Sequence, residues 1–105
     1  MIVKAGDAKR GSFLGTTFDV LAVGEKTMLT RMQFRKGRDV PPHSHPHEQT
    51  GFVLSGRFRF RFGEFDEVLE VGDSYSIPGN VEHSIEMLEN GEVLDLFSPP
   101  REDYL

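Results

Sequence analysis

From Arg57 to Phe62 the chain alternates basic and aromatic residues without a break, with Arg57, Arg59 and Arg61 on one parity and Phe58, Phe60 and Phe62 on the other. Successive side chains of a strand point to opposite faces, so this pattern predicts a β-strand whose Phe row faces a core. The Arg row faces either a solvated or dimer-forming surface, which is the reading favoured here, or the lining of an anion pocket. Periodicity alone does not say which face meets water. Phe13 to Val23 and Thr27 to Arg35 predict two strands around a turn at Gly24-Glu25, with Met28, Arg31 and Gln33 blurring the faces of the second. Gln49 to Leu54 is expected to pair with Arg57 to Phe62 as a hairpin around Ser55-Gly56. Val68 to Val71, Ser74 to Ile77, His83 to Leu88 and Val93 to Phe97 bring the total to about eight short strands.

Turn signals punctuate these runs at Gly63-Glu64, Gly72-Asp73, Pro78-Gly79-Asn80 and Asn90-Gly91. The Asn-Gly pair predicts a hairpin, because both residues tolerate positive φ. The first dozen residues read as a loose lead-in, and Gly37 to Pro42 as a loop rich in breakers. No segment joins helical periodicity to a cap. The expected fold is therefore all-β, a small antiparallel jelly-roll barrel.

Composition sharpens this picture in a few places. A chain of 105 residues suits one domain, spanning 1–105, with no repeat or linker to mark a second. Cysteine is absent, which excludes disulfides, thiolate nucleophiles and iron–sulfur clusters. The N-terminal residues lack the apolar stretch of a signal peptide, and no run is long enough to span a membrane, so a soluble cytoplasmic protein is expected. The formal net charge of −5 argues against nucleic-acid binding, yet leaves room for a small anionic ligand at a locally positive site.

The candidate chemistry lies in the histidines. His43 and His45 are two residues apart after Pro41-Pro42, which disfavours helix, and on an extended segment both imidazoles share one face. Gln49 has the same parity, with Pro46 intervening, and His83 follows a later turn as a fourth candidate. His47 reads as a surface or packed residue. A metalloprotease helix would need a histidine at position 51, which is Gly51, and structural zinc usually recruits cysteine. Metal binding by imidazole remains, and nickel, zinc, iron, manganese and copper all accept such a site.

Two segments carry a family resemblance. Gly37, His43, His45, position 49 and Gly56 match the spacing of the first cupin motif, and Gly72, Pro78 and His83 that of the second. The chain thus resembles the cupins. Gln49 stands where that family usually has Glu, Asn80 where it usually has Gly, and Met87 where it has a final Asn. The resemblance implies one divalent transition metal ion held by His43, His45, Gln49 and His83. With a neutral amide in place of a carboxylate, such a site keeps the full charge of the ion and is the stronger Lewis acid and anion trap.

The C-terminal strand adds an acid. Asp95 interrupts the apolar run Val93 to Phe97, and Phe97 shares its parity. Either Leu94 and Leu96 are core with Asp95 outward, or Asp95 and Phe97 line a pocket. The tail Leu94-Asp95-Leu96-Phe97-Ser98-Pro99-Pro100-Arg101-Glu102-Asp103 resembles the end of the KdgF-type cupins of pectin and alginate breakdown, which open 4,5-unsaturated uronates to linear keto acids. That resemblance implies Asp95 as general base then acid, Phe97 as a wall against the sugar, and Arg101 as partner of the substrate carboxylate or orienter of Asp95. It also implies a small anionic sugar as substrate and a homodimer. The alternatives are a metal-dependent dioxygenase of the quercetinase type, for which an acid at position 49 would be expected, and a non-catalytic small-molecule-binding cupin.

Overall fold

The computed structural model of the protein describes residues 1–105. Ten strands are named in chain order: β1 Lys9–Phe13, β2 Thr16–Val23, β3 Met28–Phe34, β4 Val40–His43, β5 Glu48–Ser55, β6 Phe58–Phe62, β7 Phe65–Leu69, β8 Ser74–Ile77, β9 His83–Met87 and β10 Gly91–Ser98. They form two antiparallel sheets, ordered β1-β2-β3-β10-β5-β8 and β4-β9-β6-β7, in the jelly-roll arrangement expected. Single 3₁₀ turns lie at Ala5–Asp7 and Glu102–Tyr104. No helix is long and apolar enough to cross a membrane.

The two inner faces enclose one core. Phe58 and Phe60 are fully buried, as the alternation requires, and Phe62 packs partly buried against the same cluster. A fully buried ring of this size contributes about 1.5–3 kcal/mol through the apolar surface it removes from water. On β3 the inward parity is Met28, Thr30, Met32 and Phe34, so the alternation is strict and the buried hydroxyl of Thr30 is its one polar member. The Arg57, Arg59 and Arg61 row lies outward, paired with carboxylates on the surface.

Several sequence expectations fail for identifiable reasons. Residues Lys9 to Phe13 are no lead-in: they form β1, and the strand expected from Phe13 is broken at Leu14-Gly15, whose φ values of 50° and 82° make a two-residue turn. Leu is an unusual occupant of that conformation, which hid the signal. Gly11 on β1 takes the Phe18 ring so closely that a Cβ would lie 2.7 Å from its Cζ. The loop expected over Gly37 to Pro42 contains β4, an edge strand, where proline's missing donor is tolerated. The strand expected at Val68–Val71 instead begins at Phe65, which pairs with Phe62 across Gly63-Glu64.

Two predicted hairpins are crossings instead. β5 and β6 lie in opposite sheets, as do β9 and β10, so Ser55-Gly56 and Asn90-Gly91 each carry the chain from one sheet to the other. The two crossings pack glycine to glycine: a Cβ on Gly56 would meet Gly91 Cα at 3.0 Å, and one on Gly91 would meet Ser55 O at 2.1 Å. The Asn90 side chain accepts the Lys36 backbone N–H at 2.8 Å.

Candidate metal centre

β4 and β9 pair with His43 opposite His83, which sets their ring centroids 4.2 Å apart. His45 lies beyond the end of β4, its ring 4.9 Å from that of His83 and 5.9 Å from that of His43. The turn after β8 holds it there. Asn80, at φ 66°, donates its backbone N–H to His45 O at 2.7 Å, and Gly79 approaches Pro46 so closely that a Cβ would lie 2.4 Å from the Pro46 carbonyl oxygen. The left-handed Asn80 thus ties the second histidine segment to the first.

Each imidazole donates Nδ1–H to a backbone carbonyl two residues away: His43 to Pro41 at 2.9 Å, His45 to His47 at 3.0 Å and His83 to Val81 at 2.9 Å. A carbonyl only accepts, so this bond fixes the tautomer and leaves a lone pair on Nε2. The three rings can offer ligand atoms within 4.8 Å of one another. His83 Nε2 is buried with no hydrogen-bond partner, and His45 Nε2 lies 3.1 Å from Gln49 Oε1, lone pair facing lone pair. Buried acceptors left this way are costly, and a shared cation satisfies all of them. Burial lowers the pKa of His43 and His45, and takes His83 down to about 4, with the Arg101 charge adding to each. Neutral imidazoles are what a metal requires. The donor set therefore fits a metal ion at His43, His45 and His83, with Gln49 Oε1 beside them.

The remaining sequence candidates meet the same cavity. His43, Gln49, His83, Asp95, Phe97 and Arg101 line it together with Phe13, Thr16 and Tyr104, and His45 stands behind with its ring 5.7 Å from Phe97. Asp95 and Phe97 face inward, and Leu96 is the exposed neighbour, which decides between the two readings of β10. Burial pushes the Asp95 carboxyl up to about 6, against the opposing pull of Tyr75, Gln49 and Arg101. Arg101 is buried between aromatic rings, 4.1 Å from the Tyr104 centroid, 4.8 Å from Phe13 and 5.2 Å from Phe97. It does not hold Asp95: Nε and Nη2 donate to the Asp103 carboxylate at 3.2 and 2.7 Å, and Nη1 donates to Tyr104 at 3.0 Å.

Sequence reasoning missed Tyr75, Gly51 and Thr30 around Asp95. Tyr75 donates its hydroxyl to Asp95 Oδ1, and Thr30 donates to the Asp95 backbone carbonyl at 3.0 Å. The shared parity of Tyr75 with Ile77 on β8 was the available signal.

Comparison with known proteins agrees with this geometry. The family model described as "Cupin domain" matches residues 30–97. The chain is 34% identical over 88 residues to the pectin degradation protein KdgF of Dickeya dadantii (strain 3937), covering 82% of this chain and 80% of that protein. Among solved structures, KdgF from Halomonas sp. superposes with a TM-score of 0.89 at 28% identity, over 100% of this chain and 98% of that one. An RmlC-like cupin from Shewanella frigidimarina NCIMB 400 gives 0.90 at 28% identity, over 99% and 95%.

Proposed function

The chain belongs to the cupin domain family and is a relative of KdgF, and from that premise we propose that it opens the ring of 4,5-unsaturated uronate monosaccharides, of the kind released from pectin or alginate, to the open-chain keto acid. One observation carries the reading: a single cavity lined by His43, His83 and the Gln49 amide, with His45 grouped behind them, also meets a buried acid, Asp95, and a buried cation, Arg101. An ion bound by His43, His45, Gln49 and His83 supplies Lewis acidity toward oxygen that gains negative charge.

The chain's own residues supply the proton transfer and the binding. Asp95 takes the proton of the anomeric hydroxyl as the bond between the anomeric carbon and the ring oxygen breaks. The anomeric carbon becomes an aldehyde, and the ring oxygen departs as an enolate across the former double bond. Asp95 returns the same proton to C4, leaving the ketone at C5. A carboxyl that titrates near 6 can act in both directions close to neutrality. Arg101 has five N–H groups, and the bonds to Asp103 and Tyr104 leave one on Nη1 and one on Nη2 for the sugar carboxylate. Phe97 forms an apolar wall beside them.

The cavity measures about 20 Å³, room for an ion or one water. A sugar ring is larger than this, so its binding requires lining side chains to move. Phe52, Leu54 and Leu96 are exposed on one outer face of the six-stranded sheet, which supports a homodimer paired there. The function is tested by mixing metal-loaded protein with unsaturated galacturonate and following the alkene absorbance. Accelerated loss is expected, and the spontaneous rate would overturn the reading.

A further inference from the structure

Gly51 lies on β5 directly between Tyr75 of β8 and Asp95 of β10 and pairs with both. Its missing side chain matters. A Cβ there would fall 2.1 Å from Tyr75 Cζ, 2.2 Å from the Tyr75 hydroxyl and 2.5 Å from Asp95 Oδ1. The phenol thus occupies the space above the glycine and reaches over β5 to the carboxylate, where it donates to Oδ1 at 2.5 Å. Strands two apart in a sheet are separated by about 9.5 Å, which few side chains bridge and only when the residue between them has no side chain.

We infer that Tyr75 is a positioning residue for Asp95, and that Gly51 is the gap through which it acts. Asp95 is held from both sides. Thr30 on β3 bonds its main-chain carbonyl, while Tyr75 on β8 claims one carboxylate oxygen. The Tyr75 ring is itself fixed by Phe60 of the opposite sheet, 4.3 Å between centroids. The clamp stops the carboxyl from rotating about its last torsion, and so sets which oxygen is presented to the cavity. Without the phenol, the carboxyl would be left to the pull of Gln49 and Arg101 alone.

The inference rests on the reading of Asp95 as the proton-transfer group, and the experiment keeps the two apart. Tyr75→Phe retains the ring and removes only the hydroxyl. At matched metal content it should lower kcat roughly 10- to 100-fold, the range for a hydrogen bond to a charged group, with KM unchanged. In metal-free protein the Asp95 carboxyl ¹³C resonance should move in the same variant. Gly51→Ala should reproduce both effects by displacing the phenol, and the double variant should be no worse than either single one. If Gly51→Ala does not fold, Tyr75→Phe decides alone. Wild-type kcat together with an unmoved Asp95 resonance in Tyr75→Phe would overturn the inference. Should Asp95→Asn keep full rate, the proton-transfer reading falls, and the resonance still decides whether Tyr75 fixes Asp95.

Discussion

Charge is dense in two regions of this barrel, the outer face of the four-stranded sheet and the cavity beneath the six-stranded one. Outside, Arg57, Arg59 and Arg61 share Asp66, Glu70, Glu86 and Glu89 at 2.7 to 3.8 Å, with half-exposed side chains and two carboxylate partners for each cation. Inside, the partners are few and fixed by geometry: Tyr75 for Asp95, Asp103 and Tyr104 for Arg101, and one backbone carbonyl for the Nδ1 of each metal-site imidazole. Outside, water and salt replace any lost partner, so individual pairs matter little. Inside, every unmatched atom is costly, and the cavity's unmatched atoms are the lone pair of His83 Nε2 and the facing acceptors of His45 and Gln49, with His47 Nδ1, its ring 5.6 Å from that of His45, the other unmatched ring nitrogen. Ion-pair density does not mark the functional region. Unfinished satisfaction of buried groups does.

That contrast can be broken by mutation. The largest effect is expected inside: His43→Ala or His83→Ala should lose most bound metal by elemental analysis, and full retention in either would remove the site assignment. Gln49→Ala should weaken binding less, because an amide oxygen is the poorest donor of the set. Gln49→Glu should hold the ion as well or better but slow turnover of an anionic sugar, since a carboxylate cancels one unit of the metal's charge. Unchanged or faster turnover would show that charge is not what Gln49 contributes.

A subtler effect is expected from pH in the metal-free protein. His83 titrates at about 4 when folded and at 6.5 as a free side chain, so between those values the unfolded chain binds more protons and stability falls as pH is lowered. Burial moves His43 and His45 the same way. Asp95 opposes them: its folded value of about 6 lies above the ordinary 3.8, so it favours the folded state as pH drops through that interval. Tm should fall from pH 6.5 toward 4, and fall more steeply in Asp95→Asn. A flat or rising Tm would contradict the burial of these groups. The smallest effect belongs outside, where Arg59→Ala should leave Tm, metal content and turnover unchanged despite its 2.7 Å contact with Asp66.

What could be read from the sequence follows the same division. Strict parity placed the Phe row of β6 inward, because it depends on local backbone, whereas the grouping of His43, His45, Gln49 and His83 came from the resemblance to the cupin motifs. The crossings at Gly56 and Gly91 were read as hairpins, since a turn signal tells where a chain bends and not which sheet it enters; their glycines are required by contact with each other. Tyr75 was missed for a related reason. Its partner lies two strands away, across a glycine that reads locally as only a weak spot in a strand. Arg101 was placed at the cavity, but its bracket of Phe13, Phe97 and Tyr104 comes from elements far apart in the chain.

In the proposed reaction a buried acid beside a metal site moves the proton in uronate opening. The ring-opening rate of Asp95→Asn, on a preparation whose metal content and Tm are read in parallel, decides whether it does. A loss of about 10²–10⁴-fold with metal retained is predicted, the usual contribution of a general acid–base group. A normal rate with normal metal would contradict it and leave the site without a proton-transfer residue at position 95.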